Sequence, residues 1–151
     1  MFLRTLILTL ALALCALAKP NYSGNWKMDP GKSDFGPMPA PTLMERRVNH
    51  EDPKLEVSTR QSGQQGEIST ELKYTTDGKE SINTIRGVEV KSVAKWDGDD
   101  ITIEYKRSTP NGEVSISERW KLAGEGKVFT VTMKVAGGFG EFEAKMHFDK
   151  Q

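Results

Sequence analysis

Few residues in the chain are of the types that carry catalysis or bind transition metals. Only two histidines and one cysteine are present, namely His50, His147 and Cys15. His50 falls at the end of a predicted strand and His147 on the outward face of the last one, so we predict that both are solvated and that neither binds a metal. No Gly-x-Ser-x-Gly motif is present. The sequence therefore predicts no catalytic residues, no cofactor and a protein that is not an enzyme.

A carboxylate among apolar residues is the most informative anomaly. By strand alternation Glu118 shares a face with Ile116 and Trp120, and a carboxylate directed into an apolar interior is costly unless it is paired. Arg46 and Arg47 are adjacent in another predicted strand, so one of them must point inward. We hypothesise that Glu118 contacts this inward arginine, within the fold or at its rim. A hydrated Glu118 at a bulge or strand end is an equally good interpretation.

An inward arginine that Glu118 does not neutralise could receive the carboxylate of an amphiphile, because a guanidinium matches that group with two hydrogen bonds. Arg60 and Arg86 are further candidates for an inward cation. Composition points to no other charged partner. The chain has 21 basic and 21 acidic residues, a balance that offers no basic surface for nucleic acid or an anionic membrane.

The elements that would position these residues are short strands. From Gly24 onward, polar and apolar residues alternate in runs separated by turn signals about every ten residues, which is typical of an all-β domain. Asp77-Gly78 and Asp97-Gly98 are hairpin signals. In the clearest pair of strands, the inward residues are Phe129, Val131, Met133 and Val135, then Phe142, Ala144, Met146 and Phe148. We predict one antiparallel up-and-down meander of about eight or nine strands that closes into a barrel.

Two stretches do not follow the alternation. The segment 29–41 holds four of the seven prolines and is predicted to be an irregular crossover between the first two strands. The stretch 79–84 could be a short strand or a loop. No repeat, linker or low-complexity segment divides the rest, so residues 19–151 are predicted to form a single domain.

The N-terminus is typical of a secretory signal peptide. Arg4 precedes an apolar run from Leu6 to Leu17 that only Thr9 interrupts, and Ala16-Leu17-Ala18 has the small-x-small pattern of a cleavage site. We predict a signal peptide over residues 1–18, a mature start at Lys19, and export to the periplasm or the outside. Leu14 before Cys15 argues against lipidation. Cleavage would leave a domain without cysteine, so no disulfide could stabilise it.

The sequence resembles small exported bacterial proteins with a lipocalin-like barrel. Gly24-Asn25-Trp26 at the first strand is similar to the Gly-x-Trp opening that lipocalins share with fatty-acid-binding proteins, and Trp96-Asp97-Gly98-Asp99 and Glu118-Arg119-Trp120-Lys121-Leu122 extend the resemblance. The resemblance implies that Trp26 closes one end of the barrel beneath a pocket. The later sequence blocks of true lipocalins are not recognisable, so the resemblance decides neither the number of strands nor whether the barrel contains a cavity.

Together these observations predict non-enzymatic binding of a small hydrophobic or amphiphilic ligand. The predicted ligand-binding residues are Trp26, Arg46, Arg47, Tyr74, Trp96, Tyr105, Glu118, Trp120, Met133 and Phe142. The alternative is a structural or interaction domain of the cell envelope whose side chains fill the interior, as they can in barrels of about eight strands. The sequence does not predict the ligand's identity or the oligomeric state.

Overall fold

The computed structural model describes residues 18–151. Residues 1–17 hold nearly all of the predicted leader, including Cys15, and lie outside the described residues, so the signal peptide stays a prediction. No helix in the described part is long and apolar enough to cross a membrane.

The described residues form one antiparallel sheet of ten strands, where about eight or nine were predicted. The strands are β1 (Gly24–Met28), β2 (Leu43–Glu51), β3 (Lys54–Gly63), β4 (Gly66–Thr75), β5 (Asp77–Ile85), β6 (Val88–Asp97), β7 (Asp100–Thr109), β8 (Gly112–Ala123), β9 (Val128–Gly137) and β10 (Gly140–Lys150). Neighbours in sequence pair except for β4 and β5, which form the two edges of the sheet, and β1 pairs with β10 as well as with β2. The up-and-down meander is thereby confirmed.

The undecided stretch 79–84 belongs to the edge strand β5. Its side chains are mostly exposed, including Ile82 at 58%, and only Asn83 is buried. A strand that buries one polar residue lacks the apolar alternation by which the other strands are recognised.

The sheet curls until its two edge strands, β4 and β5, face each other. No backbone ladder joins these strands within residues 18–151. Instead, the side chain of Asn83 accepts a hydrogen bond from the Lys73 N–H (2.8 Å) and donates one to the Lys73 carbonyl (2.9 Å). Ser81 Oγ accepts another from the Thr75 N–H (3.2 Å). Side chains thus replace part of a strand pairing, and the barrel is nearly closed.

An aromatic cluster fills one end of the barrel, which we call the closed end. Tyr22, Trp26, Phe129 and Phe148 are at most 1% exposed, and the ring of Phe129 lies 4.9–5.7 Å from those of Tyr22, Trp26, Trp120 and Phe148. Trp26 Nε1 donates to the Tyr22 carbonyl at 3.1 Å. Rings of this size bury large apolar areas, and this cluster therefore contributes much of the core's stability.

His50 also lies at the closed end, and the prediction that it is solvated is wrong. Its ring is 4% exposed and packs against Tyr22 and Trp96. Its Nδ1 accepts from the Tyr22 N–H at 3.2 Å, while Nε2 lies 3.5 Å from an Asp52 oxygen. The ring is buried because the segment before β1 folds across it. His147 is partly exposed and lies 3.1 Å from Asp149.

The opposite, open end carries the crossover between β1 and β2. After a 3-10 turn at Pro30–Lys32, Asp34 forms a bridge with Lys145, which ties the segment to β10. Gly36 has φ +56°, and a Cβ there would lie 3.1 Å from the Glu143 carbonyl oxygen. The close approach and the backbone conformation both favour glycine at this position. The crossover is irregular, as predicted, and directs Phe35 and Met38 into the barrel.

Candidate functional site

A cavity of about 470 Å³ occupies the interior between the open end and the aromatic cluster. Its rim includes the crossover and the turns of the β3–β4 and β5–β6 hairpins. The volume lies within the range of about 300–1,000 Å³ usual for small-molecule sites. Side chains therefore do not fill the interior of this barrel.

Arg46 is the inward member of the arginine pair. Its neighbours Met44 and Val48 on the same face of β2 are buried, whereas Arg47 is exposed on the outer face. The guanidinium carbon of Arg46 lies 5.1 Å from the ring centre of Phe148 and 5.7 Å from that of Trp120. Contacts of this kind stabilise a cation by about 0.5–2 kcal/mol. The guanidinium thus rests on the aromatic cluster at the base of the cavity.

Two nitrogens of Arg46 lack a hydrogen-bond acceptor. Nε and Nη1 are both buried, and no acceptor among residues 18–151 lies within reach of either. A buried donor without a partner costs about 1–3 kcal/mol, and more when it is charged. No atom of residues 18–151 therefore accepts from these two nitrogens, and because Arg46 lines an open cavity its side chain can take an acceptor from a bound molecule.

Glu118 lies on β8 and is 9% exposed. Its carboxylate accepts hydrogen bonds from Trp120 Nε1 at 2.8 Å and from the Tyr105 hydroxyl at 3.4 Å. No nitrogen of Arg46 lies within 4.0 Å of its oxygens in the described structure. The hypothesised direct contact is wrong because the indole and phenol donors hold the carboxylate on its own side of the cavity.

Two buried tyrosines lie close enough to these charges to be affected by them. Burial raises the pKa of Tyr74, and the negative charge of Glu118 raises it further while Arg46 opposes the effect. Burial also raises the pKa of Tyr105; the charge of Glu118 and its hydrogen bond with the phenol add to this effect, while Arg46 and Arg107 oppose it. Both phenols therefore stay neutral donors at ordinary pH, and Tyr105, Glu118 and the Trp120 indole form a hydrogen-bonded polar cluster beside Arg46.

A second inward cation, Arg107, was not predicted. Arg107 lies on β7 on the same face as Tyr105, and it lines the cavity together with Arg86 near the rim. The alternation around Tyr105 could have identified it, since residues two apart in a strand face the same side. Arg60, a predicted alternative, faces outward and binds Glu45 at 2.8 Å.

The ten predicted ligand-binding residues fall into two groups. Arg46, Tyr105, Glu118 and Met133 line the cavity. The others lie elsewhere: Trp26, Tyr74 and Trp120 are buried next to or beneath it, Trp96 is at the closed end, Arg47 is on the outer face, and Phe142 packs in a small side cluster with Val114, Ile116 and Val135. A ligand-binding role for each remains a prediction.

Much of the apolar wall comes from residues not in the predicted set. They are Phe35 and Met38 of the crossover, Met44 of β2 and Leu72 of β4; Met146 of β10, which was predicted to face inward, adds to the wall. Methionine is flexible and polarizable, so a wall containing four methionines with Met133 can adapt to ligands of different shape.

Comparison with solved structures identifies the fold. Zebrafish ileal bile-acid-binding protein in complex with cholic acid matches with a TM-score of 0.62 and 15% identity, over 86% of this chain and 98% of the other. A secretory abundant heat soluble protein from Ramazzottius varieornatus matches with a TM-score of 0.61 and 15% identity, over 86% of this chain and 95% of the other. Echinococcus granulosus fatty-acid-binding protein 1 matches with a TM-score of 0.56 and 14% identity, over 85% of this chain and 96% of the other.

The fold is therefore a lipocalin-like barrel of the kind seen in fatty-acid-binding proteins. At such low identity the match shows the fold alone. The sequence matches no protein-family model and no curated protein.

Proposed function

We propose that this protein is a non-enzymatic binding protein for a small hydrophobic or amphiphilic molecule, which it holds inside the barrel. The carrying observation is Arg46, which lines a cavity of about 470 Å³ and whose guanidinium has two buried nitrogens without an acceptor among residues 18–151. The methionine and phenylalanine side chains of the wall would take up the apolar body of the ligand. The polar cluster around Arg46 would orient its head group.

The structural neighbours agree with this proposal. Two of them are named as a bile-acid-binding and a fatty-acid-binding protein. The alternative function is an interaction domain with a packed, ligand-free interior. Such a domain is expected to have no cavity beside a cation that lacks a protein acceptor.

Extraction of the purified protein with organic solvent, followed by mass spectrometry, tests the proposal. We expect a co-purified amphiphile, or one-to-one complexes in native mass spectra after incubation with fatty acids, bile acids and their neutral analogues. A protein that emerges empty and binds no member of that panel would refute the proposal.

We also propose that the protein is exported. The motif at residues 1–18 supports this, and N-terminal sequencing of the protein recovered from the periplasm or medium should begin at Lys19. Recovery of the full chain in the cytosol would contradict it.

A further inference from the structure

Two opposite charges face the cavity without touching each other. Arg46 projects from β2 and Glu118 from β8, and both border the same Trp120 indole: the guanidinium lies over its ring and the carboxylate accepts from its N–H. Their nitrogens and oxygens stay more than 4.0 Å apart. In a poorly hydrated interior, separated opposite charges are stabilised by a group that fits between them.

The hydrogen-bonding capacities of these two side chains are opposite. Arg46 has two nitrogens whose N–H groups have no acceptor in the described residues, and it can accept nothing. Glu118 accepts from Trp120 and, over a longer distance, from Tyr105, which occupies two of about four lone-pair positions. The base of the cavity therefore offers donors on one side and acceptor capacity on the other.

A ligand carboxylate would satisfy only Arg46. It has no donor for Glu118, and it would bring a second negative charge into a cavity that already contains one, which is unfavourable at low dielectric. Arg107 lines the same cavity, but none of its nitrogens lies within 4.0 Å of a Glu118 oxygen in the described residues, so it does not neutralise that carboxylate by contact.

We infer that the ligand has an uncharged head group that both accepts and donates hydrogen bonds, of which a carboxamide on an apolar chain is the simplest example. Its carbonyl would accept from Arg46 and its N–H would donate to Glu118. The inference rests on the proposed function, since it names the ligand class of the same cavity.

Matched ligands with one apolar chain and different heads test this inference. Oleamide donates and accepts, oleate accepts and is charged, and methyl oleate only accepts. Binding is measured as displacement of a fluorescent fatty-acid probe at about pH 8, where free carboxylic acids are ionised. In the wild type we expect oleamide to bind at least about tenfold more tightly than oleate, and more tightly than methyl oleate.

Substitution of the acceptor should change this order. In Glu118→Gln the negative charge is gone while the amide oxygen can still accept from Trp120, so oleate affinity should rise about tenfold or more relative to oleamide. The matched control is Glu104→Gln, which neutralises an exposed carboxylate on the outer face of β7 and should leave the order unchanged.

Two negative outcomes have different meanings. If the wild type binds oleate as tightly as oleamide or more tightly, the inference is wrong while the proposed function stands. If none of the three ligands displaces the probe and none forms a complex in native mass spectra, the proposed function fails as well. The wild-type comparison needs no variant, so a Glu118→Gln protein that fails to fold leaves the test intact.

Discussion

Replacement of Arg46 by methionine should stabilise the empty protein while it weakens ligand binding. The substitution keeps an unbranched, apolar side chain against Trp120 and Phe148 and removes two buried donors without acceptors. Relief of two such donors contributes about 2–6 kcal/mol. Loss of two cation–π contacts costs about 1–4 kcal/mol. With the middle of each range, about 4 and 2.5 kcal/mol, the expected net gain is about 1.5 kcal/mol in the free energy of unfolding.

Urea denaturation followed by tryptophan fluorescence measures this gain. It should appear as a higher midpoint with an unchanged slope, and as a Tm raised by about 3–8 °C. Arg47→Met is the matched control, because Arg47 is exposed on the opposite face of the same strand, and its effect should stay within about 0.5 kcal/mol. If Arg46→Met loses more than about 2 kcal/mol of unfolding free energy, which is beyond the least favourable combination of these ranges, the guanidinium is satisfied in the empty protein and the reasoning is wrong.

Three further predictions concern the framework of the site. All three tyrosines of the chain, Tyr22, Tyr74 and Tyr105, have a raised pKa caused mainly by burial. A raised pKa contributes stability below the unfolded value of about 10 that is lost as pH rises above it. Phenolate absorbance should therefore appear only as the protein unfolds in alkali, and early titration of any tyrosine in the native state would contradict the burial. Asn83→Ala removes both hydrogen-bond partners of the Lys73 backbone across the β4–β5 gap. The free energy of unfolding should therefore fall by about 1–3 kcal/mol, and amide hydrogen exchange in β4 should become faster. The control Asn49→Ala, at an exposed position in β2, should change neither quantity. Phe129→Ala, at the centre of the aromatic cluster, should lower the free energy of unfolding by about 3–5 kcal/mol. The control Phe139→Ala, at an exposed position, should lower it by less than about 0.5 kcal/mol. Equal losses in the two variants would show that the core does not centre on Phe129.

The strand pattern could be read from the sequence wherever apolar residues alternate. β9 and β10 were predicted with their inward residues, because both strands bury most of one apolar face. β5 could not be assigned by the same rule, since its one buried residue is an asparagine whose partner is the backbone of β4. A strand held by side-chain hydrogen bonds leaves no hydrophobic period to detect.

The candidate site could be predicted only in part. Alternation placed Glu118 inside, and it required an inward arginine, but choosing Arg46 over Arg47 needed the register of β2, which depends on β1 and β3. The Glu118–Arg46 contact was predicted wrongly, since inward direction alone does not give the distance across a barrel. The crossover residues Phe35 and Met38 could not be placed, because an irregular segment has no period from which to infer a face.

The burial of His50 could not be foreseen for a related reason. The residue ends β2, where a polar side chain is ordinarily solvated, and only the path of the preceding segment through Tyr22 covers it. That contact spans 28 residues of sequence and is set by the closure of the barrel. Tertiary contacts of this kind override a local prediction.

Binding of a fluorescent fatty-acid probe to three proteins tests the central claim most directly: the wild type, Arg46→Met and Arg47→Met. The account predicts saturable binding at one site per chain in the wild type and in Arg47→Met. It predicts affinity at least about tenfold weaker in Arg46→Met, because the head group loses its buried donors. Equal affinity in all three proteins, or no saturable binding to any, would contradict a ligand held inside the barrel by Arg46.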